Sequence, residues 1–141
     1  MTLVLDTSGL LSALDADQRL HRDARESLER ATGALLMSPF VLAELDYLLS
    51  TKVSSDAELA LLGEVARGAY TLEPFSAPDI ARARALIEGH KGFGDLGLAD
   101  AANVVIAERY DTRDILTLDE RHFRTLDGPR GLPFRLLPAD G

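Results

Sequence analysis

The sequence predicts an α/β fold, a parallel sheet with helices on both faces. Two observations predict it. Short apolar runs of three or four residues alternate along the whole chain with amphipathic segments of ten or more residues, the pattern of βαβ units. No internal repeat, low-complexity tract or linker interrupts that alternation, so residues 1–141 read as a single domain. Hydrophobic residues make up 46% of the chain, enough to pack a core.

Each element has a local reason. Leu3-Val4-Leu5 reads as a first strand. Residues from about Arg19 to Ala31 read as a helix, and Ala34 to Met37 as a second strand. Ser38 then supplies an N-cap with Pro39 at the first helical position, a strong helix start, and Val41, Leu45, Leu48 and Leu49 form one apolar stripe. Ser55 with Glu58 three residues later has the pattern of a capping box, opening a helix to about Gly68. Tyr70 to Glu73 reads as a third strand and Ser76 to Glu88 as a helix. A glycine-rich loop leads to a helix from about Leu98 to Tyr110. Ile115 to Leu118 is the next strand, a short helix follows Asp119, and Phe134 to Leu137 is the last strand.

The totals exclude several kinds of chemistry. There is no cysteine, which removes disulfides, zinc-thiolate sites and thiol nucleophiles and fits a reducing cytoplasm. No run approaches the roughly 20 apolar residues that span a bilayer. The opening Met1 to Asp6 lacks the basic start of a signal peptide. A cytoplasmic protein with no membrane partner is expected. The net charge of −8 argues against nucleic acid, which usually meets a basic face. Two features offset it: a carboxylate metal site is itself a negative cluster until cations bind, and arginines gather locally, at Arg19, Arg22, Arg25 and Arg30 and at Arg121 and Arg124.

In parallel sheets, sites form outside the carboxyl ends of the strands. Asp6 directly follows the first strand, and Asp119 follows Ile115–Leu118. Each is also a good helix N-cap. Glu44 lies three residues after Val41 and four before Leu48, which places it on the apolar stripe, where a glutamate is costly unless paired or bound to a cation; a position at the stripe's edge, with its head in water, is the alternative. Asp46 and Glu64 need only a solvated face. Asp100 stands in the first turn of its helix, where the dipole favours an acid, but four residues before Val104 on the side expected to be buried. Asn103 nearby offers a neutral oxygen, and Asp95 is a further acid in the preceding loop.

Carboxylates that converge on one edge cannot all stay ionised without cations. Oxygen donors without cysteine or paired histidine select Mg²⁺ or Mn²⁺. One or two such ions can bind a phosphodiester, activate water and stabilise the leaving oxygen. No nucleophilic side chain is needed, and none is offered: Ser8 lacks the glycine pattern of a nucleophile elbow, and His21, His90 and His122 show no paired ligand spacing. The hydroxyl of Thr7 or Thr117 can orient a metal-bound water, but a threonine in or beside a strand is ordinary, above all at Thr117; Arg121 can meet a phosphate or pair with a site carboxylate, or be a plain surface arginine.

Four segments together resemble the PIN-domain ribonucleases: Leu5-Asp6-Thr7-Ser8; Ser38-Pro39 with Val41-Leu42-Ala43-Glu44-Leu45; Leu98-Ala99-Asp100-Ala101-Ala102-Asn103; and Leu116-Thr117-Leu118-Asp119-Glu120-Arg121-His122-Phe123. Within that family the chain is similar to VapC toxins, the toxin half of VapBC toxin–antitoxin pairs. The resemblance implies a five-stranded parallel sheet and a Mg²⁺- or Mn²⁺-dependent endoribonuclease with Asp6, Glu44, Asp100 and Asp119 as metal ligands. It also implies homodimerisation and inhibition by a cognate VapB antitoxin. Ala43 to Leu48 and Leu116 to Phe123 look like the subgroup that cuts the sarcin–ricin loop of 23S rRNA; tRNA is the common target elsewhere among VapC toxins. The antitoxin is expected to lay an apolar helix against exposed leucines such as Leu59, Leu61 and Leu62, with a basic side chain among the carboxylates.

Other readings compete. Gly92 to Gly97 spells GxGxxG, but a helical stretch rather than a strand precedes it, so a loop explains it better than a dinucleotide site. A phosphotransfer receiver domain would want paired acids after the first strand and a lysine after a late one; only Lys52 and Lys91 exist. A haloacid-type phosphatase would want an acid where Ser8 stands. A catalytically silent PIN-like binding module would have lost one of the four acids, and all four are present.

Overall fold

The computed structural model describes residues 1–141. Five strands form one parallel sheet: β1 (Leu3–Leu5), β2 (Leu35–Met37), β3 (Thr71–Leu72), β4 (Asp114–Leu116) and β5 (Arg135–Leu137). Their order across the sheet is β3-β2-β1-β4-β5, with Val4 in register with Leu36 on one side and Ile115 on the other. The chain thus winds outward from β1 first one way and then the other. The reversal falls between β1 and β4, where ligand crevices of doubly wound sheets form.

Strand residues alternate between the two faces, and both faces are covered. Leu3, Leu5, Met37, Leu116 and Leu137 join Leu10, Val41, Leu45 and Leu49 in one core. Val4, Leu36, Ile115 and Leu136 face the opposite way, onto Val104, Ile106, Phe123 and Phe134. Burial on both sides is why the strands read as continuous apolar runs rather than alternating ones. The first core lies under α1 (Thr7–Leu14), α3 (Pro39–Lys52) and α4 (Ser55–Ala66), with α2 (His21–Arg30) packed against α1. The second lies under α6 (Leu98–Tyr110), which is flanked by α5 (Ala77–Gly89). The short α7 (Glu120–Phe123) contributes Phe123. No helix is long and apolar enough to cross a membrane.

Several expectations shift. Helix α1 was not foreseen in the sequence: TSGLLSAL has only eight residues, two serines and a glycine, and little periodicity. The strand expected to run to Leu118 ends at Leu116, so Asp119 stands three residues beyond it rather than directly after it. The cap of α4 is Ser54, whose side chain accepts from Ala57 N, and not Ser55. The reciprocal capping box belongs instead to Ser76 and Asp79 at the start of α5. Leu61 is buried, 2% exposed, and only Leu59 and Leu62 of the three α4 leucines reach the surface. Asp46 is not on a solvated face: its Oδ1 is buried without a partner, and the Asp46 carboxyl beside Glu58 raises the Glu58 pKa.

One ion-pair network ties the edge strand to the helices. Glu73, 3% exposed, accepts from Arg109 Nη1 and Tyr110 Oη at 2.8 Å each, while Arg109 Nη2 donates to Asp79 at 2.9 Å. Arg109→Ala leaves a buried carboxylate without its cation, which costs about 3 kcal/mol. The expected outcome is a lower urea midpoint with an unchanged slope.

Candidate metal centre and substrate edge

The strand ends place the site. Asp6 is the first residue after β1 and the N-cap of α1, yet its side chain caps nothing. It turns inward, 4% exposed. Thr117 Oγ1 donates to Asp6 Oδ2 at 2.7 Å, Asn103 Nδ2 donates to Asp6 Oδ1 at 3.2 Å, and Ser8 Oγ donates to Oδ2 at 3.3 Å. Asp119 is both a cap and a site acid: Oδ1 accepts from His122 N at 3.0 Å, leaving Oδ2 2.8 Å from His122 Nδ1. Asp100, in the first turn of α6, brings Oδ2 to 4.0 Å from the same ring nitrogen. Asp100, Asp119 and His122 each offer a ligand atom within 4.8 Å of one another.

Glu44 enters from α3, and the expectation that it faces the core fails: the residue is exposed. Val41 and Leu45 take the buried stripe, and Glu44 lies at its rim, where Thr7 Oγ1 donates to Oε1 at 2.7 Å. It reaches the same edge nonetheless, since its charge bears on Asp100.

The electrostatics show what the arrangement lacks. Asp6 has its pKa raised to about 7, first by burial and then by the charges of Asp100 and Asp119, against the opposing hydrogen bonds from Thr117 and the Thr7 backbone. Asp100 is raised as well, by burial, then by Asp119 and Glu44, with His122 pulling it down. No lysine or arginine pairs with any of the four acids; the basic side chain within reach is the His122 imidazole. Asn103 is fully buried and its Oδ1 has no hydrogen-bond partner. Clustered oxygen donors, mutually raised pKa values and an orphaned carbonyl oxygen fit a hard divalent cation.

The remaining sequence candidates divide. Thr117 is a brace: besides holding Asp6 it accepts from Asp119 N at 2.9 Å, so one hydroxyl ties the two strand-end acids together. Thr7 holds Glu44. Arg121 forms no ion pair; it is exposed and its guanidinium lies over Gly94, 3.1 Å from where a side chain there would begin. Gly94 has φ +111°, a backbone conformation that calls for glycine. Asp95 is exposed in that loop and is not among the gathered acids. The GxGxxG stretch runs from a 3₁₀ turn, Lys91–Phe93, to Gly97 before α6, a helix-to-helix loop and no dinucleotide fingerprint.

Two participants were missed. Ser8 accepts from Leu118 N at 3.0 Å and touches Asp6; it is a positioning residue two places after the acid. His122 has no second histidine at ligand spacing. Its signal was the Asp-x-x-His spacing across a helix start, which returns the imidazole onto the capping carboxylate.

Fold and site together define a doubly wound α/β protein with an acidic cluster at its switch-point crevice. The PIN domain family matches residues 3–129. Over 136 residues the chain is 45% identical to ribonuclease VapC26 of Mycobacterium tuberculosis (strain ATCC 25618 / H37Rv), covering 96% of this chain and 100% of that protein. The chain belongs to the PIN-domain family and, within it, to the VapC ribonucleases. Solved structures share the fold. The M. tuberculosis toxin VapC20, described as cleaving the sarcin–ricin loop, superposes with a TM-score of 0.76 at 18% identity, covering 83% of this chain and 89% of that one. VapBC2 from Rickettsia felis, bound to a DNA fragment from its promoter, gives 0.68 at 21% identity over 96% and 98%. FitAcB from Neisseria gonorrhoeae gives 0.56 at 18% over 79% and 87%.

Proposed function

We propose that this ribonuclease is a Mg²⁺- or Mn²⁺-dependent endoribonuclease, the toxin of a toxin–antitoxin pair, acting on structured RNA in the cytoplasm. The observation that carries the metal reading is Asp6. It is a buried carboxylate beside two others, its pKa pushed to about 7, and no arginine or lysine offsets it. Asp6, Asp100, Asp119 and Glu44 would hold one or two ions, with His122 a further donor on Asp119's side. Bound there, the cation supplies charge to draw in the scissile phosphodiester and to activate water for attack.

The chain's own residues do the rest. Thr117 and Asn103 hold Asp6 facing the crevice. Thr7 holds Glu44 at its rim. Arg121, unpaired and exposed, offers the phosphate a cation beside an otherwise acidic edge. The sarcin–ricin loop of 23S rRNA is the first substrate to test, on the likeness of Ala43 to Leu48 and Leu116 to Phe123 to the subgroup that cuts it; tRNA is the second. A VapB-type antitoxin fits two features. Tyr47, Val53, Leu59 and Leu62 expose apolar surface on and around α3 and α4, and the acid cluster is open to an intruding basic side chain. The active form is a homodimer.

Purified protein incubated with total RNA and Mn²⁺ or Mg²⁺ is expected to give discrete fragments, with ends mapping to one loop. EDTA and Glu44→Gln are expected to remove them. Cutting that persists in EDTA would exclude the metal reading; cutting that persists in Glu44→Gln alone would exclude Glu44.

A further inference from the structure

Helix α5 packs on α6 with one side and faces solvent with the other. The outer side is not the wholly polar face that such a position calls for. Ile80 and Ile87 of α5 and Leu98 from the first turn of α6 line a groove of about 310 Å³, with Arg84, Glu88 and Lys91 around it. Ile80 and Leu98 are exposed and Ile87 is half-buried. Ile80, Arg84, Ile87 and Glu88 recur at helical spacing, so they form one stripe along α5.

We propose that this groove is the contact between two copies of the chain, related by a two-fold axis that passes near Ile87. The proposal rests on the homodimer reading above and names its surface. The order of the charges points to a second copy. A two-fold contact brings one patch against itself, so the patch must be its own complement. On α5 the cation precedes the anion by one turn, Arg84 and then Glu88. Laid antiparallel on itself about that midpoint, the helix sets Arg84 of each copy opposite Glu88 of the other, and the two cross-pairs flank the isoleucines. A parallel mating sets Arg84 on Arg84 and Glu88 on Glu88, which like charge opposes. Within one helix the pair is loose, 3.8 Å between exposed side chains, and worth little, so both groups can re-pair across a contact. The antiparallel setting also lays the apolar stem of Lys91 over the partner's Ile80. Helix α5 flanks the second core, whereas α3 and α4 cover the first. A second copy on α5 therefore leaves the surface offered to the antitoxin open.

The test is sedimentation velocity of the purified protein at micromolar concentration. Wild type is expected to be a dimer. Arg84→Glu and Glu88→Arg should each weaken it about tenfold, since two opposed pairs become like-charged. The double reversal, Arg84→Glu with Glu88→Arg, should restore it, because the order inverts in both copies. Both residues are exposed, so folding is not at stake. Ile80→Glu should give a monomer, and Leu59→Glu on α4 should leave the dimer intact. A wild-type dimer indifferent to Ile80→Glu and to both single reversals overturns the surface while the homodimer reading stands. A dimer lost in Leu59→Glu and kept in Ile80→Glu moves the contact to α4 and overturns it too. If Ile80→Glu keeps the dimer but no longer binds a VapB-type antitoxin, the groove belongs to that partner instead. A wild-type monomer defeats the homodimer reading and the proposal with it.

Discussion

Asp6→Asn is expected to make the metal-free protein more stable at pH 8 while removing its nuclease activity. The folded protein holds the Asp6 proton with a pKa of about 7, against 3.8 for the free group. Between these values the folded state binds more protons than the unfolded one, so stability falls as pH rises from about 4 to about 7 and the loss is complete above that. About three units correspond to about 4 kcal/mol, the ceiling on what asparagine can recover at pH 8. Thermal melts in EDTA should show wild type losing stability across that window and Asp6→Asn following a flatter course. Adding Mn²⁺ at pH 8 should stabilise wild type strongly and the variant little, since only the native charged site binds the ion. Cleavage should fall roughly 100-fold or more, beyond the 10- to 100-fold cost of losing a residue that merely supports a metal ligand. A residue that destabilises the empty fold and is required by the filled one is the expected signature of a metal centre.

Gly9→Ala is expected to be the most damaging single-methyl change in the chain. Gly9 lies in the first turn of α1, and a Cβ there would sit 2.4 Å from the Leu116 carbonyl oxygen and 2.7 Å from Thr117 N. Both are backbone atoms of the central sheet and its carboxyl end, so the helix must move instead. A cost of about 3 kcal/mol or more follows from overpacking against an unyielding partner. The displacement also bears on Thr117, the brace between Asp6 and Asp119, so activity should drop even at temperatures where the variant stays folded. Gly63→Ala in α4 is the contrast. Its Cβ meets only the flexible end of Arg67, at 3.2 Å, and replacing a mid-helix glycine should stabilise by about 0.5–1 kcal/mol. Urea unfolding of the two variants should move in opposite directions.

The strands and their carboxyl ends were the most legible part of the sequence. Apolar runs buried on both faces announce themselves, and the rule that sites sit beyond strand ends pointed to Asp6 and Asp119 before any geometry was known. Glu44 stands out in the sequence for a burial that the structure does not show. It was expected to be buried on the stripe of α3, yet it sits at the stripe's rim, and Thr7 brings it to the edge. Helical spacing marks a face to within one residue and no better, and one residue separates the core from the crevice. Helix α1 was invisible because eight residues with Gly9 and two serines carry little periodic signal. The cooperation of Thr117, Ser8 and Asn103 around Asp6 was also out of reach, since these contacts join residues about a hundred positions apart. His122 was accessible in principle: a cap residue and a histidine three places later must meet.

The most direct measurement of the central claim is the anomalous scattering of Mn²⁺ in crystals of the protein at pH 7.5. A peak within about 2.2 Å of carboxylate oxygens of Asp100 and Asp119, with Asp6 facing it, is the predicted result, that distance being set by the ordinary reach of oxygen ligands to such ions. A well-ordered, fully carboxylated edge at millimolar Mn²⁺ with no peak, or a peak only elsewhere on the molecule, would contradict it.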